Sequence, residues 1–431
     1  MAMTVGEAFD RFLGTVPGLR VEAYDGSSGG DRSPDARVLR LKSPRALNYL
    51  LSAPGEVGLT RAYLTDQLSI DGMDEGYPYP ELKLLLGSRS ATRPTLREVP
   101  DLLALARSAG LHLPELPAEE TPSPFRRLTH GLRHGRARDA EAIHHHYDVS
   151  NAFYELLLGP SMTYTCAVYP TEDATLEQAQ SYKYDLVCRK LGLEQGMRLL
   201  DVGCGWGGMV RHAVRHYGVT ALGVTLSKEQ ADWGSARVAA EGLADRAEIR
   251  HSDYRDVTER GFDAISSIGL TEHIGVGNYP AYFAFLREHL RDGGRLLNHC
   301  ITRPTNRKPG VSKGFINRFV FPDGELAGSA TIVQVMEDEG LEVRHHENLR
   351  EHYARTTGAW CENLSAHWDA SVAEAGLGTA RLWGLYLAGS RLNFERNHIQ
   401  LHQVLASRTS AEGASGFPLR PAWEEQAQPR E

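Results

Sequence analysis

The sequence predicts an α/β protein in which a domain with a parallel sheet follows a smaller α+β domain. Three observations lead to this prediction. The chain has 431 residues, and a domain averages roughly 100–200 residues, so two or three domains are expected. A proline-rich stretch interrupts the chain after residue 113. Beyond Leu186, strand-like and helix-like segments alternate, which is typical of a sheet with helical crossovers.

Residues 1–113 are predicted to form the small α+β domain. A strand-like segment at Val21–Tyr24 runs into a Gly- and Ser-rich turn. The segment Arg37–Leu41 alternates polar and apolar side chains, as a half-buried strand does. Helical spacing of apolar residues follows in the segments Pro44–Leu51, Leu59–Leu68, Glu81–Leu86 and Leu102–Ala109. No catalytic constellation is evident in this domain.

Residues 114–140 are predicted to be a linker that is first proline-rich and then basic. Prolines occupy positions 114, 117, 122 and 124. The arginines that follow are Arg126, Arg127, Arg133, Arg136 and Arg138. They form either a solvated face or a patch for an anionic lipid surface, where each basic residue contributes on the order of 1 kcal/mol. The sequence leaves both interpretations open.

Residues 141–407 are predicted to form the larger domain, and residues 408–431, rich in Ser, Gly, Pro, Glu and Gln, a flexible tail. The candidate strands are Arg198–Val202, Thr220–Thr225, Ala247–His251, Phe262–Ser267 and Gly294–Cys300. The candidate helices between them are Met209–His216, Lys228–Glu241 and Tyr279–Leu290.

The composition excludes several functional classes. A formal net charge of -8 argues against a nucleic-acid partner. The five cysteines contain no CxxC pair, so neither a disulfide scaffold nor a zinc site is expected. The triplet His144–His146 has no acidic or cysteine partner at ligand spacing, so no metal is predicted. No apolar run approaches the ~20 residues of a membrane span, and no secretory signal follows Met1, so a cytoplasmic protein is expected.

A glycine-rich turn is the candidate cofactor site. Gly203, Gly205 and Gly208 have the G-x-G-x-x-G spacing of Rossmann-like nucleotide sites. Asp201 lies just before the first glycine, where a carboxylate would repel a diphosphate but suit an ammonium group. The next strand ends at Thr225 without the acidic residue that binds ribose in dinucleotide enzymes. These features favour S-adenosylmethionine (SAM) over NAD(P), unless Asp201 only caps the following helix.

Several short blocks occur in a fixed order along the larger domain. They are HYDVSN at 146–151, MTYTC at 162–166, DVGCGWG at 201–207, GVTLS at 223–227 with Gln230, DYRD at 253–256, EHIG at 272–275 and FVFPDG at 319–324. In this order they resemble the cyclopropane-fatty-acyl-phospholipid synthases and the mycolic acid cyclopropane synthases, which are SAM-dependent methyltransferases of unsaturated acyl chains. The resemblance covers roughly residues 144–408 and implies a Rossmann-like class I SAM-dependent methyltransferase domain.

The resemblance implies a set of residues that bind SAM. Those at the methionine end are Tyr164, Thr165, Asp201, Gly203 and Gly205. Those at the ribose and adenosine are Thr225, Leu226 and Gln230, and those at the adenine are Tyr254 and Arg255.

The resemblance also implies a bicarbonate ion beside the sulfonium. Its ligands correspond to Cys166, Glu272, His299, Tyr353 and the backbone at Ile301. Plainer interpretations exist, because a strand histidine is usually a core residue and a cysteine is often a small apolar side chain. Two adjacent anions repel, so Glu272 is either protonated or accepts the proton of bicarbonate, and we favour the second.

The implied reaction starts from an alkene, which is a weak nucleophile without an acidic proton. Methyl transfer to one alkene carbon leaves a cation on its neighbour, so water must be excluded, and aromatic faces can stabilise the charge. Loss of a proton from the new methyl group closes a cyclopropane, whereas a hydride shift before deprotonation gives a methylene branch. Thr271 replaces the aromatic residue that the family has before Glu272. The segments 23–28 and 53–59 also resemble actinobacterial enzymes that make 10-methylene fatty acids, which favours the branched product without deciding it.

The expected substrate is an unsaturated acyl phospholipid, and the expected location is the inner face of a membrane, where the chain would attach peripherally. A reductase that acts on the product and a homodimer are candidate partners that the sequence leaves open. Three alternative functions remain: a SAM-dependent methyltransferase of a non-lipid small molecule, a non-catalytic lipid-binding protein and a nicotinamide oxidoreductase.

Overall fold

The computed structural model describes residues 3–12, 14, 16–87, 99–108, 110, 114–120, 149–307, 314–321, 324–421 and 423. The chain divides into two compact units. The first comprises Met1–Pro122, Ser312–Pro322 and Cys361–Leu392. The second comprises Ser123–Val311, Asp323–Trp360 and Asn393–Glu431. The predicted basic segment and the histidine triplet lie outside the described residues.

The first unit has a four-stranded sheet. Its strands are β1 (Leu19–Ala23), β2 (Ser28–Gly30), β3 (Arg37–Leu41) and β4 (Leu68–Ile70), in the order β2-β1-β3-β4. Strands β1 and β3 are parallel, and the other pairs are antiparallel. The helices of its N-terminal stretch are α1 (Val5–Phe12), α2 (Pro44–Ser52), α3 (Glu56–Leu64), α4 (Tyr79–Gly87) and α5 (Val99–Ser108). The predicted α+β domain is therefore present.

One predicted helix of this unit is too long. The apolar spacing predicted a helix to Leu68, but α3 ends at Leu64 and Leu68 begins β4. Asp66, between them, has a left-handed φ of 58°, which a helix cannot accommodate. Asp66, a polar residue that tolerates this conformation, thus ends the helix within a segment whose apolar spacing looked helical throughout.

The predicted domain boundaries are incomplete, because two later segments belong to the first unit. Phe319, Val320 and Leu382 are buried in the same hydrophobic cluster as Leu39 and Tyr49. Their apolar surface completes a core that residues 1–113 do not close alone. Burial against residues that are distant in the sequence cannot be predicted from the local sequence pattern.

The second unit contains a seven-stranded sheet in the order β10-β11-β9-β8-β5-β6-β7. Its strands are β5 (Arg198–Val202), β6 (Thr220–Thr225), β7 (Ala247–His251), β8 (Phe262–Ile268), β9 (Leu290–Thr302), β10 (Glu342–Asn348) and β11 (Gln400–Ser407). The first five are parallel, and β11 runs antiparallel to β9 and β10. The five predicted strands are confirmed. The strands β10 and β11 were not predicted; β10 (EVRHHEN) is polar and lacks an apolar alternation.

Helices cover this sheet or extend from it. They are α6 (Asn151–Leu158), α7 (Leu176–Leu191), α8 (Gly208–Tyr217), α9 (Lys228–Ala240), α10 (Thr271–Ile274), α11 (Tyr279–His289), α12 (Ser329–Asp338) and α13 (Arg350–Ala366). Two later helices belong wholly or mostly to the first unit, α14 (Trp368–Ala375) and α15 (Leu377–Glu395). The three helices predicted in this domain are confirmed to within one or two residues at their ends.

The site is positioned by the strand order. The chain leaves β5 towards β6 on one side, whereas it leaves the adjacent strand β8 towards β9 on the other side, so the connections at the carboxyl ends of β5 and β8 run in opposite directions. In open α/β sheets such a switch point leaves a crevice in which ligands bind. The glycine-rich turn, which follows β5, lies at this point.

The predicted flexible tail needs correction for its described part. Arg408 donates from its backbone to the Gly294 carbonyl at 2.9 Å, and the Ser415 hydroxyl accepts from Arg344 at 2.6 Å. Trp423 is 8% exposed and its ring meets that of Phe417 edge-on. Isolated aromatic and polar contacts thus order a segment whose composition is typical of disorder.

In the part of the chain that the structure describes, no helix has the length and apolar character to span a bilayer. The same residues hold no group of three or more His, Cys, Asp or Glu side chains arranged for a metal ion.

Candidate active site

A pocket opens where β5 and β6 end. Its lining contains every residue that the sequence analysis assigned to SAM: Tyr164, Thr165, Asp201, Gly203, Gly205, Thr225, Leu226, Gln230, Tyr254 and Arg255. These residues come from separate loops of the second unit, and the sheet brings them together at one edge.

The glycine-rich turn forms the floor of this pocket. The backbone N–H groups of Gly203 and Cys204 both donate to the Val224 carbonyl, at 2.9 and 3.0 Å, which ties the turn to β6. Gly203 has φ +74° and Gly205 has φ +55°, in the left-handed region that favours glycine. A Cβ on Gly203 would approach Leu270 Cβ to 3.0 Å. The turn therefore needs glycine for its backbone conformation and, at Gly203, also for space.

Asp201 presents a buried carboxyl group at the end of β5. It is 2% exposed, and its Oδ1 accepts a hydrogen bond from the Ser266 hydroxyl at 2.6 Å. Burial raises the pKa of Asp201 to about 7, against the effects of Ser266 and Lys183. Helix α8 has Gly207 at its N-cap and no side-chain cap bond, so the interpretation of Asp201 as a helix cap is wrong. Because burial makes this carboxylate costly to ionise by itself, a cationic ligand beside it would stabilise its charged form.

The pKa of Asp201 predicts a pH-dependent effect of Asp201→Asn in the cofactor-free protein. Between its ordinary value of 3.8 and about 7, the folded chain keeps a proton that the unfolded chain has lost, so rising pH destabilises the native state. Asparagine carries no such proton. We expect the difference in melting temperature, Asp201→Asn minus wild type, to increase as pH rises through this window. Above the window the difference should stay constant.

Thermal unfolding across this pH range, compared with Asp245→Asn, measures the effect. Asp245 is an exposed carboxylate with 74% of its side-chain area accessible, so its substitution should give no such pH-dependent gain. An equal difference between Asp201→Asn and wild type at every pH would contradict the assignment.

The opposite side of the pocket is built for a nucleoside. Thr225 and Gln230 are joined side chain to side chain, at 2.9 Å, beneath the start of α9. Tyr254 lies edge-on to Tyr282, with ring centroids 5.2 Å apart. The guanidinium of Arg255 lies 5.3 Å from the Tyr254 ring centroid, which gives the pocket a planar wall of the kind on which an adenine stacks.

The five residues that the resemblance assigned to bicarbonate do not line this pocket. Cys166 and His299 are fully buried, Glu272 and Tyr353 are 9% and 8% exposed, and Ile301 is half-buried. The Leu349 carbonyl accepts from the Tyr353 backbone N–H at 3.2 Å and lies 3.9 Å from the Cys166 sulfur, which brings these two residues together. Cys166 follows directly on Thr165, a lining residue, so the group lies next to the pocket.

Glu272 bonds directly to β9. Its Oε1 accepts the backbone N–H of Ile301 at 2.7 Å, so the donor that was expected to hold an ion is engaged by the carboxyl group itself. Its Oε2 is buried, and the described part of the chain provides no hydrogen-bond partner for it. Burial raises the pKa of Glu272 to about 7, so the protonated form, which was not the favoured alternative, is well populated near neutral pH.

The proton on His299 can be assigned from its neighbours. Lys190 Nζ donates to Gln403 Oε1 at 2.7 Å, and because an ammonium only donates, the amide oxygen of Gln403 faces Lys190. The amide nitrogen of Gln403 then faces His299 Nδ1, at 3.2 Å, and donates to it. Burial holds the pKa of His299 well below its usual range, so the ring is neutral and its proton is on Nε2. That Nε2–H is buried and has no acceptor among the residues that the structure describes.

Two buried polar atoms that have no partner among the described residues are therefore both associated with the carboxyl-terminal end of β9. His299 and Ile301 are two residues apart on β9, so their side chains share a face of the strand, and Glu272 bonds to Ile301. A buried polar group without a partner costs about 1–3 kcal/mol, so such groups usually hold an ordered water or an ion. A donor from His299 and a carboxyl oxygen from Glu272 fit a small protic anion such as bicarbonate.

Comparisons with known proteins identify the family of the chain. The family model of mycolic acid cyclopropane synthetase matches residues 134–404, more than half of the chain. The chain belongs to this family. It is 56% identical to the probable fatty acid methyltransferase Rv3720 of Mycobacterium tuberculosis over 410 residues, which cover 94% of this chain and 95% of the relative. It is 36% identical to the cyclopropane-fatty-acyl-phospholipid synthase of Escherichia coli over 61% of this chain and 66% of that protein.

The fold is also that of the family. The structure of mycolic acid cyclopropane synthase CmaA1 complexed with SAH and CTAB superposes with a TM-score of 0.59 at 32% identity, over 62% of this chain and 97% of CmaA1. This family member is thus a SAM-dependent methyltransferase with a Rossmann-like domain and with an additional N-terminal unit.

An aromatic chain joins the two parts of the methyltransferase site. The Tyr164 ring lies 5.4 Å from Trp360, Trp360 lies 6.1 Å from Tyr353, and Tyr353 stacks on Phe394 at 4.5 Å, measured between ring centroids. Trp360 is 1% exposed. A lining residue of the cofactor pocket is thereby connected to Tyr353 by a wall of packed rings that leaves little room for water.

Sequence reasoning missed four residues of this methyltransferase site: Lys183, Lys190, Trp360 and Gln403. Two of them carried a signal. The buried face of α7 runs through Ala179, Lys183, Val187 and Lys190 at helical spacing, so both lysines fall on the apolar stripe of their helix. A lysine at such a position is rarely buried without a specific partner. Trp360 and Gln403 lay on apolar segments without any distinguishing feature.

Proposed function

We propose that this methyltransferase transfers a one-carbon unit from SAM to the double bond of an unsaturated fatty acyl chain of a phospholipid, through a carbocation that bound bicarbonate deprotonates. The product is a methylene-branched or a cyclopropane acyl chain. The names of the relatives support the acyl substrate, and the synthase of Escherichia coli supports a phospholipid. The observation that carries the proposal is that His299 Nε2 and Glu272 Oε2 are both buried and have no hydrogen-bond partner among the described residues.

The pocket residues bind the methyl donor and stabilise its positive charge. SAM supplies a methyl group on a cationic sulfur, and the alkene electron pair forms the new C–C bond while the S–C pair stays on sulfur. Asp201 provides the buried negative charge at the methionine end, at the glycine turn. Tyr254 provides the planar face for the adenine. The chain thus orients the donor and balances part of its charge without any covalent step of its own.

The second group of residues holds the anion. Bicarbonate, when bound, supplies the base for the final proton. The His299 Nε2–H donates to an anion oxygen, and Glu272, whose pKa burial raises to about 7, exchanges a proton with the anion through its buried Oε2. Burial raises the pKa of the Cys166 thiol, so it stays neutral and adds no competing negative charge.

The surroundings protect a carbocation from water. Trp360 and Tyr353 are buried and packed against each other, and aromatic faces stabilise a nearby cation by very roughly 1–2 kcal/mol when desolvated. Water excluded by these rings cannot trap the cation as an alcohol.

The residue that differs from the family pattern faces inward. Thr271 is fully buried, and its hydroxyl donates to Asn298 Oδ1 at 2.5 Å. Asn298 in turn donates to the Cys300 sulfur at 3.3 Å. The bonded polar side chains of Thr271 and Asn298 thus precede Glu272 and His299 in the sequence, and Thr271 stands where the family pattern has a ring. Loss of that ring changes how the cation is stabilised before it loses a proton, which supports the branched product.

Lipid analysis tests the proposal. The chain is expressed in a host whose phospholipids contain oleoyl groups, and its lipids are extracted. A mass gain of one CH2 unit with vinylidene protons identifies the methylene product, and the same gain with high-field ring protons identifies cyclopropane. Oleoyl phospholipids that stay unmodified, in cells where the protein is folded and binds SAM, would refute the acyl substrate.

We further propose that the arginines of the linker attach the methyltransferase to the inner face of a membrane. Reversing the charge at Arg126, Arg127 and Arg133 to Glu should then lower binding to vesicles that contain anionic lipid, and the loss should be greater at low salt, where screening is weaker. Vesicle co-sedimentation measures it, with neutral vesicles as the control. Unchanged binding of the triple variant would leave these arginines as a solvated face.

A further inference from the structure

Lys183 is a buried cation in the cofactor pocket that the proposed function does not use. It is fully buried on α7, and it lines the pocket with Thr165, Asp201 and Gly203. Its Nζ lies 3.0 Å from the Thr165 hydroxyl and 3.8 Å from the centroid of the Tyr184 ring. An ammonium carries three N–H donors, and the Thr165 hydroxyl is the acceptor that the described residues provide for them.

The electrostatics favour an anionic ligand group at this point. Burial lowers the pKa of Lys183 to about 7, and the neighbouring Cys166 and Asp201 oppose this effect. Arg255, another cation of the lining, is engaged at both carboxylate oxygens of Asp253, at 2.8 and 2.6 Å. Lys183 has no comparable ion pair among the described residues, so the cost of its burial is offset mainly when an anion binds.

We infer that Lys183, together with the hydroxyl of Thr165, binds the carboxylate at the methionine end of SAM. The methionine end carries an ammonium and a carboxylate, and Asp201 matches only the ammonium. Because the Thr165 oxygen accepts from Lys183, its own O–H remains available to donate to the same carboxylate. The inference depends on SAM binding in this pocket and is independent of which molecule accepts the methyl group.

The experiment measures binding and needs no turnover. Isothermal titration calorimetry compares SAH with its carboxyl methyl ester on the full chain and on Lys183→Met. Hydrogen bonds to charged groups carry enough energy that wild type should bind the ester about 10- to 100-fold more weakly than SAH. Lys183→Met should bind both ligands with nearly equal affinity, close to that of wild type for the ester.

Control variants separate this role from a structural one. Lys190→Met removes another buried lysine of α7 and should keep the wild-type difference between SAH and its ester. Thr165→Val should lower the affinity difference between SAH and its ester in part. If Lys183→Met does not fold, Thr165→Val takes its place in the comparison. A full difference retained in Lys183→Met, or equal binding of both ligands by wild type, would overturn the inference. Loss of the lipid product with this binding pattern intact would refute only the acyl substrate.

Discussion

Glu272→Gln should abolish turnover and leave SAM affinity within about twofold of wild type. Glutamine keeps an oxygen for the Ile301 N–H, so the bond of 2.7 Å that fixes the side chain to β9 survives. The buried Oε2, which has no partner among the described residues, becomes an NH2 group that can neither accept nor release a proton. Loss of such an acid–base group typically costs 10²–10⁴-fold in rate, so we expect a fall of about 10³-fold or more.

Single-turnover lipid methylation and calorimetry with SAH measure the two quantities. Glu325→Gln is the matched control, because Glu325 also accepts a backbone N–H, that of Val276 at 3.1 Å, and lies outside the lining of the pocket. It should keep activity within a few-fold of wild type. A Glu272→Gln enzyme with full activity would refute the proposed role of this carboxyl group.

Gln403→Leu should lower activity at ambient bicarbonate by about 100-fold. This is the upper end of the effect seen when a residue that hydrogen-bonds to a ligand-binding histidine is lost. Leucine cannot donate to His299 Nδ1, so the proton is no longer held on Nε2 and the ring loses its fixed donor. Lys190 also loses an acceptor for its ammonium group. Gln403 is therefore a positioning residue for His299, and its loss should weaken anion binding rather than SAM binding.

The bicarbonate concentration for half-maximal activity is the diagnostic measurement. It should rise strongly in Gln403→Leu, added bicarbonate should restore part of the rate, and SAH affinity should stay unchanged. Gln400→Leu makes the same substitution on the same strand, where the side chain donates to Asn397 Oδ1 near the surface, and should match wild type. A reduced rate without any change in the bicarbonate requirement would contradict the role of Gln403.

The fold was predictable where apolar periodicity and glycine turns coincide. The strand Arg198–Val202 and helix α8 flank a turn whose glycines adopt left-handed φ values, and each of these features is local. The membership of Phe319 and Leu382 in the first unit was not predictable, because their burial depends on partners far away in the chain. The polar edge strand β10 escaped prediction for the same reason, since only pairing with β11 makes it a strand.

The candidate site also has features that were predictable from the sequence and features that were not. The ten residues assigned to SAM through short motifs all line one pocket. The bond between Glu272 and Ile301, the tautomer of His299 and the burial of Lys183 were not predictable. Each of these depends on a distance or a desolvation that only neighbouring elements create.

The sequence by itself determined which chemical groups are present: a glycine bend preceded by an acid, and a glutamate, a histidine and a tyrosine in a recognisable order. The tertiary structure alone decided their protonation and their partners, because pKa values and tautomers depend on burial and on neighbouring donors. Lys190, Gln403 and His299 come from a helix and two strands, and only the packed sheet makes them one hydrogen-bonded chain.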